Sequence, residues 1–88
     1  MNHQEARQLI REELSLHKEK NYADLVKLID EEFHYEKQGP SGAQYQIEIR
    51  ILWDSMPNGA IRVLGSIDDG GWRAFFPMTD SILKYPEN

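Results

Sequence analysis

The spacing of apolar residues divides the chain into a helical first part and a stranded second part. The apolar positions of the first stripe are Ala6, Leu9, Ile10, Leu14 and His17. This spacing predicts a helix from about residue 4 to about residue 17, with the charged residues between these positions, Glu13 included, on the solvated faces. Asn21 is a typical N-cap, and it precedes a second stripe at i, i+3, i+4, i+7 and i+11. That stripe consists of Tyr22, Leu25, Val26, Ile29 and Phe33.

The end of the second helix is open in the sequence. Residues 33–37 could continue the helix or form extended structure before the glycine- and proline-containing loop at 39–42. From Tyr45 onward apolar and polar residues alternate, which is typical of half-buried strands. We therefore predict three strands, at about 45–53, 61–67 and 72–76, joined at the turn signals Asn58-Gly59 and Asp69-Gly70.

Matching the apolar faces of neighbouring strands predicts their register. A three-residue loop at 57–59 pairs Trp53 with Val63, so that the apolar faces of the two strands lie on the same side of the sheet. A two-residue loop would pair Ile51 with Ser66 and place apolar residues opposite polar ones. In this register Gly59 takes the left-handed conformation. A tight Asp69-Gly70 turn then pairs Ile67 with Trp72.

These elements predict an α+β fold, with two N-terminal helices packed on one face of a three-stranded antiparallel meander (ααβββ). A single domain covers residues 1–88, and its tail, residues 79–86, forms either a short helical turn or an extended strap. Gly65, in the middle of the second strand, predicts the close approach of a helix or an aromatic ring.

Composition narrows the classes of function. The 88 residues contain no cysteine, which excludes disulfides and thiolate metal sites. The net charge of −5 is spread over both halves without a basic stripe, and this argues against nucleic-acid binding. No run of about 20 apolar residues could span a bilayer. We expect a soluble protein of the cytoplasm.

The sheet face opposite the helices carries the candidate interaction residues. The predicted register places Leu52, Leu64 and Phe75 in one cross-strand row, with Arg50 and Arg73 in the next. Three large apolar groups rimmed by arginine have the composition of an interface centre. Two further pairs are expected on this face, Asp54 with Arg62 and Glu48 with Asp68.

Three occupants of this apolar row remain open. The tail residues Ile82, Leu83 and Tyr85 could fold over it, a second copy could bind it in a homodimer, or another protein could do so. We interpret the chain as a non-enzymatic protein-interaction module, which either self-associates or binds a protein partner as immunity-type inhibitors do. The alternative is a small enzyme or small-molecule binder with a pocket between the second helix and the sheet. The residues of that pocket would be Tyr22, Tyr35, Trp53 and Trp72, with His34 or Asp68 as polar groups.

No catalytic, cofactor-binding or metal-ligating set is predicted. Glu13 with His17, and Asp30 with His34, are spaced i, i+4, but each pair offers two ligands where a zinc site needs three or four. The carboxylates at 68–69 and the glycines at 70–71 are typical of a hairpin turn.

One segment of the chain carries a resemblance. Residues 65–77, with Ile51-Leu52-Trp53-Asp54 before them, resemble small bacterial proteins of uncharacterised function. The resemblance covers roughly residues 45–82 and is one of strand and turn pattern, so it implies no functional residues.

Overall fold

The computed structural model describes residues 1–71 and 77–87. Within them the chain forms one long helix, one short helix and a four-stranded antiparallel sheet in the order β1-β2-β3-β4. The elements are α1 (His3–Lys18), α2 (Tyr22–Val26), β1 (Glu32–Gln38), β2 (Gln44–Trp53), β3 (Ile61–Asp68) and β4 (Met78–Lys84). The α+β class is as predicted, but the sheet has a fourth strand and the second helix is much shorter.

Helix α1 covers one side of the sheet, called the inner face below. Asn2 caps the helix by accepting a hydrogen bond from the Glu5 backbone N–H at 3.1 Å. The apolar stripe of α1 packs mainly on β3 and β4. An added Cβ at Gly65 would lie 2.7 Å from Ile10 Cδ1, so the helix comes close to the sheet there. The close approach predicted at Gly65 is confirmed.

The second apolar stripe is helical only at its start. After α2, the Leu28 and Ile29 backbone N–H groups bond to carbonyls three residues back, and Asp30 has a φ of 70°. Two successive residues of this segment bond to Ile51: the Asp30 N–H donates to Ile51 O, and Ile51 N–H donates to Glu31 O. This is a β-bulge of the G1 type, with aspartate where glycine is usual. Residues 33–37, left open above, therefore belong to a strand.

The predicted register between β2 and β3 is wrong by two residues. Trp53 pairs with Ile61 and not with Val63, which leaves a seven-residue connection over 54–60. Within it the Gly59 N–H donates to Met56 O, and Asn58 takes the left-handed φ of 68° predicted for Gly59. A two-residue shift preserves the strand faces, so the inner face holds the predicted apolar residues. Its fully buried members are Tyr45, Ile47, Ile49, Ile51, Ile61, Val63 and Ile67.

The partner of β3 on its other side is the tail. Ile67 pairs with Met78, and Val63 pairs with Ile82, so the predicted pairing of Ile67 with Trp72 is wrong. The third predicted strand, at 72–76, lies outside the described residues. Strand β4 replaces the predicted turn or strap, and it is tied to α1 by a Lys84 Nζ bond of 3.1 Å to the Lys18 carbonyl. In the described part of the chain, no helix has the length and apolar character needed to cross a membrane.

Candidate functional site

The outer face of the sheet, opposite α1, presents alternate side chains of all four strands. The observed registers give a row of Glu36, Gln46 and Asp68 and, next to it, three more rows. The first contains His34, Glu48, Ser66 and Thr79, the second Glu32, Arg50, Leu64 and Ser81, and the third Leu52, Arg62 and Leu83. Charged and polar groups therefore dominate one end of the face, and leucines the other.

The predicted interaction residues Arg50, Leu52 and Leu64 lie on the outer face, in rows that differ from the prediction. Leu52 is opposite Arg62, and Leu64 is opposite Arg50, because of the two-residue shift in register. Arg73 and Phe75, the other two predicted members, lie outside the described residues.

The tail adds a leucine to this face. Ile82 packs on the core from the inner face, while Leu83 lies on the outer face opposite Arg62. The tail does not fold over the leucines as a strap, and Tyr85 is exposed. We call Leu52, Leu64 and Leu83 the leucine patch; all three are half-buried, and none packs against the main core.

Arg50 and Arg62, the two arginines that the described strands place on the outer face, are held by acidic partners. Arg62 donates to Asp54 Oδ1 at 2.8 Å and to Ser81 Oγ at 2.6 Å, so its guanidinium bridges the hairpin connection and β4. The predicted Asp54–Arg62 ion pair is confirmed, and an exposed pair of this kind contributes under about 1 kcal/mol. Arg50 Nε lies 3.2 Å from Glu32 Oε1. Both guanidinium groups are thereby oriented beside the leucine patch.

The polar end of the outer face contains a group of potential metal ligands. Glu32, His34 and Glu48 each offer one ligand atom within 4.8 Å of the others. Three such ligands with an open position are the minimum for a catalytic zinc. However, Glu32 and His34 are exposed, and Arg50 pairs with Glu32, so a cation here would compete with a guanidinium. The expected pairing of Glu48 with Asp68 is wrong, since Glu48 is opposite Ser66.

A shallow concavity of about 330 Å³ lies next to this group. Its lining includes His34, Glu48, Ser66 and Asp68. Carboxylates and a histidine could take part in proton transfer. No hydrogen bond between these four side chains is present in the described structure, so none of them orients another there.

Two ionisable side chains of α1 are buried, and for Glu13 this is contrary to the prediction of a solvated helix face. Glu13 is 6 % exposed and His17 is 3 % exposed. Glu13 Oε1 lies 2.9 Å from Lys37 Nζ of β1, and this hydrogen bond raises the pKa of Lys37. Burial, followed by the charge of Lys20, lowers the pKa of His17, although the Glu13 carboxylate acts in the opposite direction.

The environment of His17 explains why the neutral form is favoured. Its ring lies 5.8 Å from the Phe33 ring, and Phe33 in turn stacks on Tyr35 at 6.5 Å. The buried Nδ1 has no hydrogen-bond partner. The position of His17 among the apolar residues of the first stripe was the signal of its burial. No comparable signal marks Glu13, whose burial depends on Lys37 reaching it from β1.

The residues of the alternative ligand pocket that the structure describes do not lie on one side of the sheet. Tyr22 donates its hydroxyl to Gly59 O at 2.7 Å, and Tyr35 stacks on Phe33 at the inner face. His34 and Asp68 lie on the outer face, across the sheet from both tyrosines. Trp72 lies outside the described residues.

Comparison with known proteins adds no further constraint. No protein-family model, curated protein or solved structure matches the chain. The resemblance of residues 65–77 to small bacterial proteins stays a prediction.

Proposed function

We propose that this chain is a non-enzymatic protein-interaction module that binds a protein partner through its outer sheet face. The observation that supports the proposal is the leucine patch, which lies on the side of the sheet away from the core. An apolar centre beside oriented arginines is the composition of many interface centres. We assign no catalytic, metal-binding or cofactor-binding residue.

The charges around the leucine patch indicate the kind of partner. Four carboxylates lie on the outer face of β1, β2 and β3, against the two arginines Arg50 and Arg62. These carboxylates belong to Glu32, Glu36, Glu48 and Asp68. Both arginines are already paired with acidic groups, so the net charge of the described part of this face is negative. A partner with an apolar side chain flanked by basic residues fits this surface.

Capture of a partner by three forms of the protein tests the proposal. We would immobilise the wild type, Leu64→Arg and Ala23→Arg, the last a matched control on the exposed surface of α2. Each would be exposed to extract from the source cells, and any retained protein would be purified and titrated against all three. We expect Leu64→Arg to weaken binding at least about tenfold, which corresponds to about 1.4 kcal/mol. Ala23→Arg should bind as the wild type does.

Circular dichroism would first establish that Leu64→Arg is folded, which is expected because Leu64 lies outside the core. If the same protein binds folded Leu64→Arg as tightly as the wild type, the outer face is not the binding surface. If no retained protein binds Leu64→Arg more weakly than it binds Ala23→Arg, the proposal fails.

A further inference from the structure

Strand β1 is an edge strand, and its backbone N–H and C=O groups point alternately toward β2 and away from the sheet. At its start Ile51 N donates to Glu31 O, and just beyond its end Gly39 N donates to Ala43 O. Between these two bonds the strands pair without interruption, from Glu32 opposite Arg50 to Gln38 opposite Gln44. Antiparallel pairing makes hydrogen bonds at every second residue. The odd-numbered residues of β1 therefore bond to β2, and the N–H and C=O groups of residues 32, 34, 36 and 38 point away from the sheet.

These outward groups form an open pairing edge. Within residues 1–71 and 77–87, no strand lies beside β1 on that side. A groove of about 540 Å³ lies along α1 and reaches Lys37 of β1. Leu16, which lines the groove, is 54 % exposed. An edge of this kind is a template for another strand.

We infer that β1 pairs antiparallel with β1 of a second copy, so that two sheets join into one of eight strands. Because only even-numbered residues carry free backbone groups, a twofold pairing that uses at least five residues of β1 can be centred on residue 34, 35 or 36. Centring on His34 places Glu32 opposite Glu36, and centring on Glu36 places that carboxylate opposite itself. Like charges directly opposite are destabilising, so both registers are disfavoured.

The register centred on Tyr35 has no pair of like charges and uses all seven residues of β1. Its cross-strand pairs are Glu32 with Gln38, Phe33 with Lys37, His34 with Glu36, and Tyr35 with Tyr35 of the second copy. The charges of β1 thus oppose two registers, whereas the third places no like charges opposite each other. This selection of one register by the sequence of β1 is the argument for a second copy as the occupant.

The joined sheet has consequences for both faces. The twofold axis is perpendicular to the sheet, so both α1 helices lie on the same side and the two outer faces are continuous. A pairing of two short strands buries less surface than a standard interface, so we expect a weak, concentration-dependent dimer. The inference does not depend on the leucine patch, which lies on the side chains of β2, β3 and β4.

Sedimentation equilibrium from about 1 μM to about 1 mM would test it. Glu36→Pro removes an outward N–H without removing a bond to β2, and proline is tolerated at such edge positions. We expect this variant to raise the dimer dissociation constant at least about tenfold, while Glu36→Ala, which retains the N–H, should dimerise. His34→Glu should also weaken the dimer, because it places two glutamates opposite each other. Combining it with Glu36→Lys should restore the dimer, because a glutamate then lies opposite a lysine.

Amide hydrogen exchange of the wild type gives a second readout that needs no variant. The N–H groups of His34 and Glu36 should exchange more slowly as the dimer forms. A monomer throughout the concentration range would overturn the inference, as would a dimer in which these two amides exchange rapidly. A dimer lost in Leu64→Arg and retained in Glu36→Pro would assign self-association to the outer face instead.

Discussion

The contact between α1 and β3 at Gly65 makes a quantitative prediction. An added Cβ would lie 2.7 Å from Ile10 Cδ1, 3.1 Å from Ile10 Cγ1 and 3.2 Å from Ile49 Cδ1. Ordinary carbon–carbon contacts are about 3.5–4.0 Å, so either the helix or both side chains must move. Ile10 and Ile49 are fully buried, which leaves little room for that movement.

We expect Gly65→Ala to destabilise the fold by about 1–2 kcal/mol. Overpacking costs about 1–3 kcal/mol, and replacing a strand glycine by alanine returns roughly 0.5–1 kcal/mol of backbone entropy. Ile10→Val alone should cost about 0.5–1.5 kcal/mol. Because valine lacks the Cδ1 atom, the double variant should be more stable than the sum of the two changes predicts, by about 1 kcal/mol.

Urea unfolding followed by circular dichroism measures each free energy of unfolding in this cycle. Ser66→Ala, on the outer face next to Gly65, is the control and should change stability by less than about 0.5 kcal/mol. The reasoning would be refuted by a Gly65→Ala variant as stable as the wild type. Additivity of the two changes to within about 0.5 kcal/mol would also contradict it.

Two further predictions concern pH. The pKa of His17 is lower in the folded protein than its ordinary value of 6.5. As the pH falls through 6.5, His17 is therefore protonated in the unfolded chain before it is protonated in the folded one, and the free energy of unfolding decreases. His17→Leu should remove this dependence below about pH 6.5, in urea unfolding at each pH, whereas exposed His34→Gln should retain it. Glu5 accepts bonds from the Ser41 hydroxyl at 2.6 Å and backbone N–H at 2.9 Å, which lower its pKa from 4.5. Its contribution is present above pH 4.5 and is lost as pH falls through the lowered pKa, so Glu5→Gln should show a shallower acid transition.

The residues on the inner and outer faces of β2 and β3 were predictable, because a register shift of two residues leaves each side chain on the same face. The register itself was not, because shifts of two residues give similar apolar pairs. In the connection between β2 and β3 the left-handed residue is Asn58 and not Gly59. The sequence could not distinguish them, because both asparagine and glycine adopt this conformation. The stripe after Asn21 suited a helix, but as a strand residues 33–37 place alternate side chains against α1, where Phe33 meets His17 and Lys37 meets Glu13.

The candidate site was predictable to the same extent. Leu52 and Leu64 were assigned to the outer face by alternation alone. Leu83 was missed because the tail was too short to show whether it formed a turn or a strand. The burial of Glu13 depends on a contact with Lys37, 24 positions later, and local spacing carries no information about such a contact.

The packing of α1 against β4 brings together segments from opposite ends of the described chain. Arg11 lies 3.8 Å from Asp80, and the Lys84–Lys18 bond joins residues 66 positions apart. Adjacent strands can form hairpins early, because the loops that close them are short. The apolar stripe of α1, by contrast, cannot be fully covered until residues 78–84 have joined the sheet. We therefore expect the first helix of the chain to dock last, and the exposed stripe to be the main aggregation hazard of the partly folded protein.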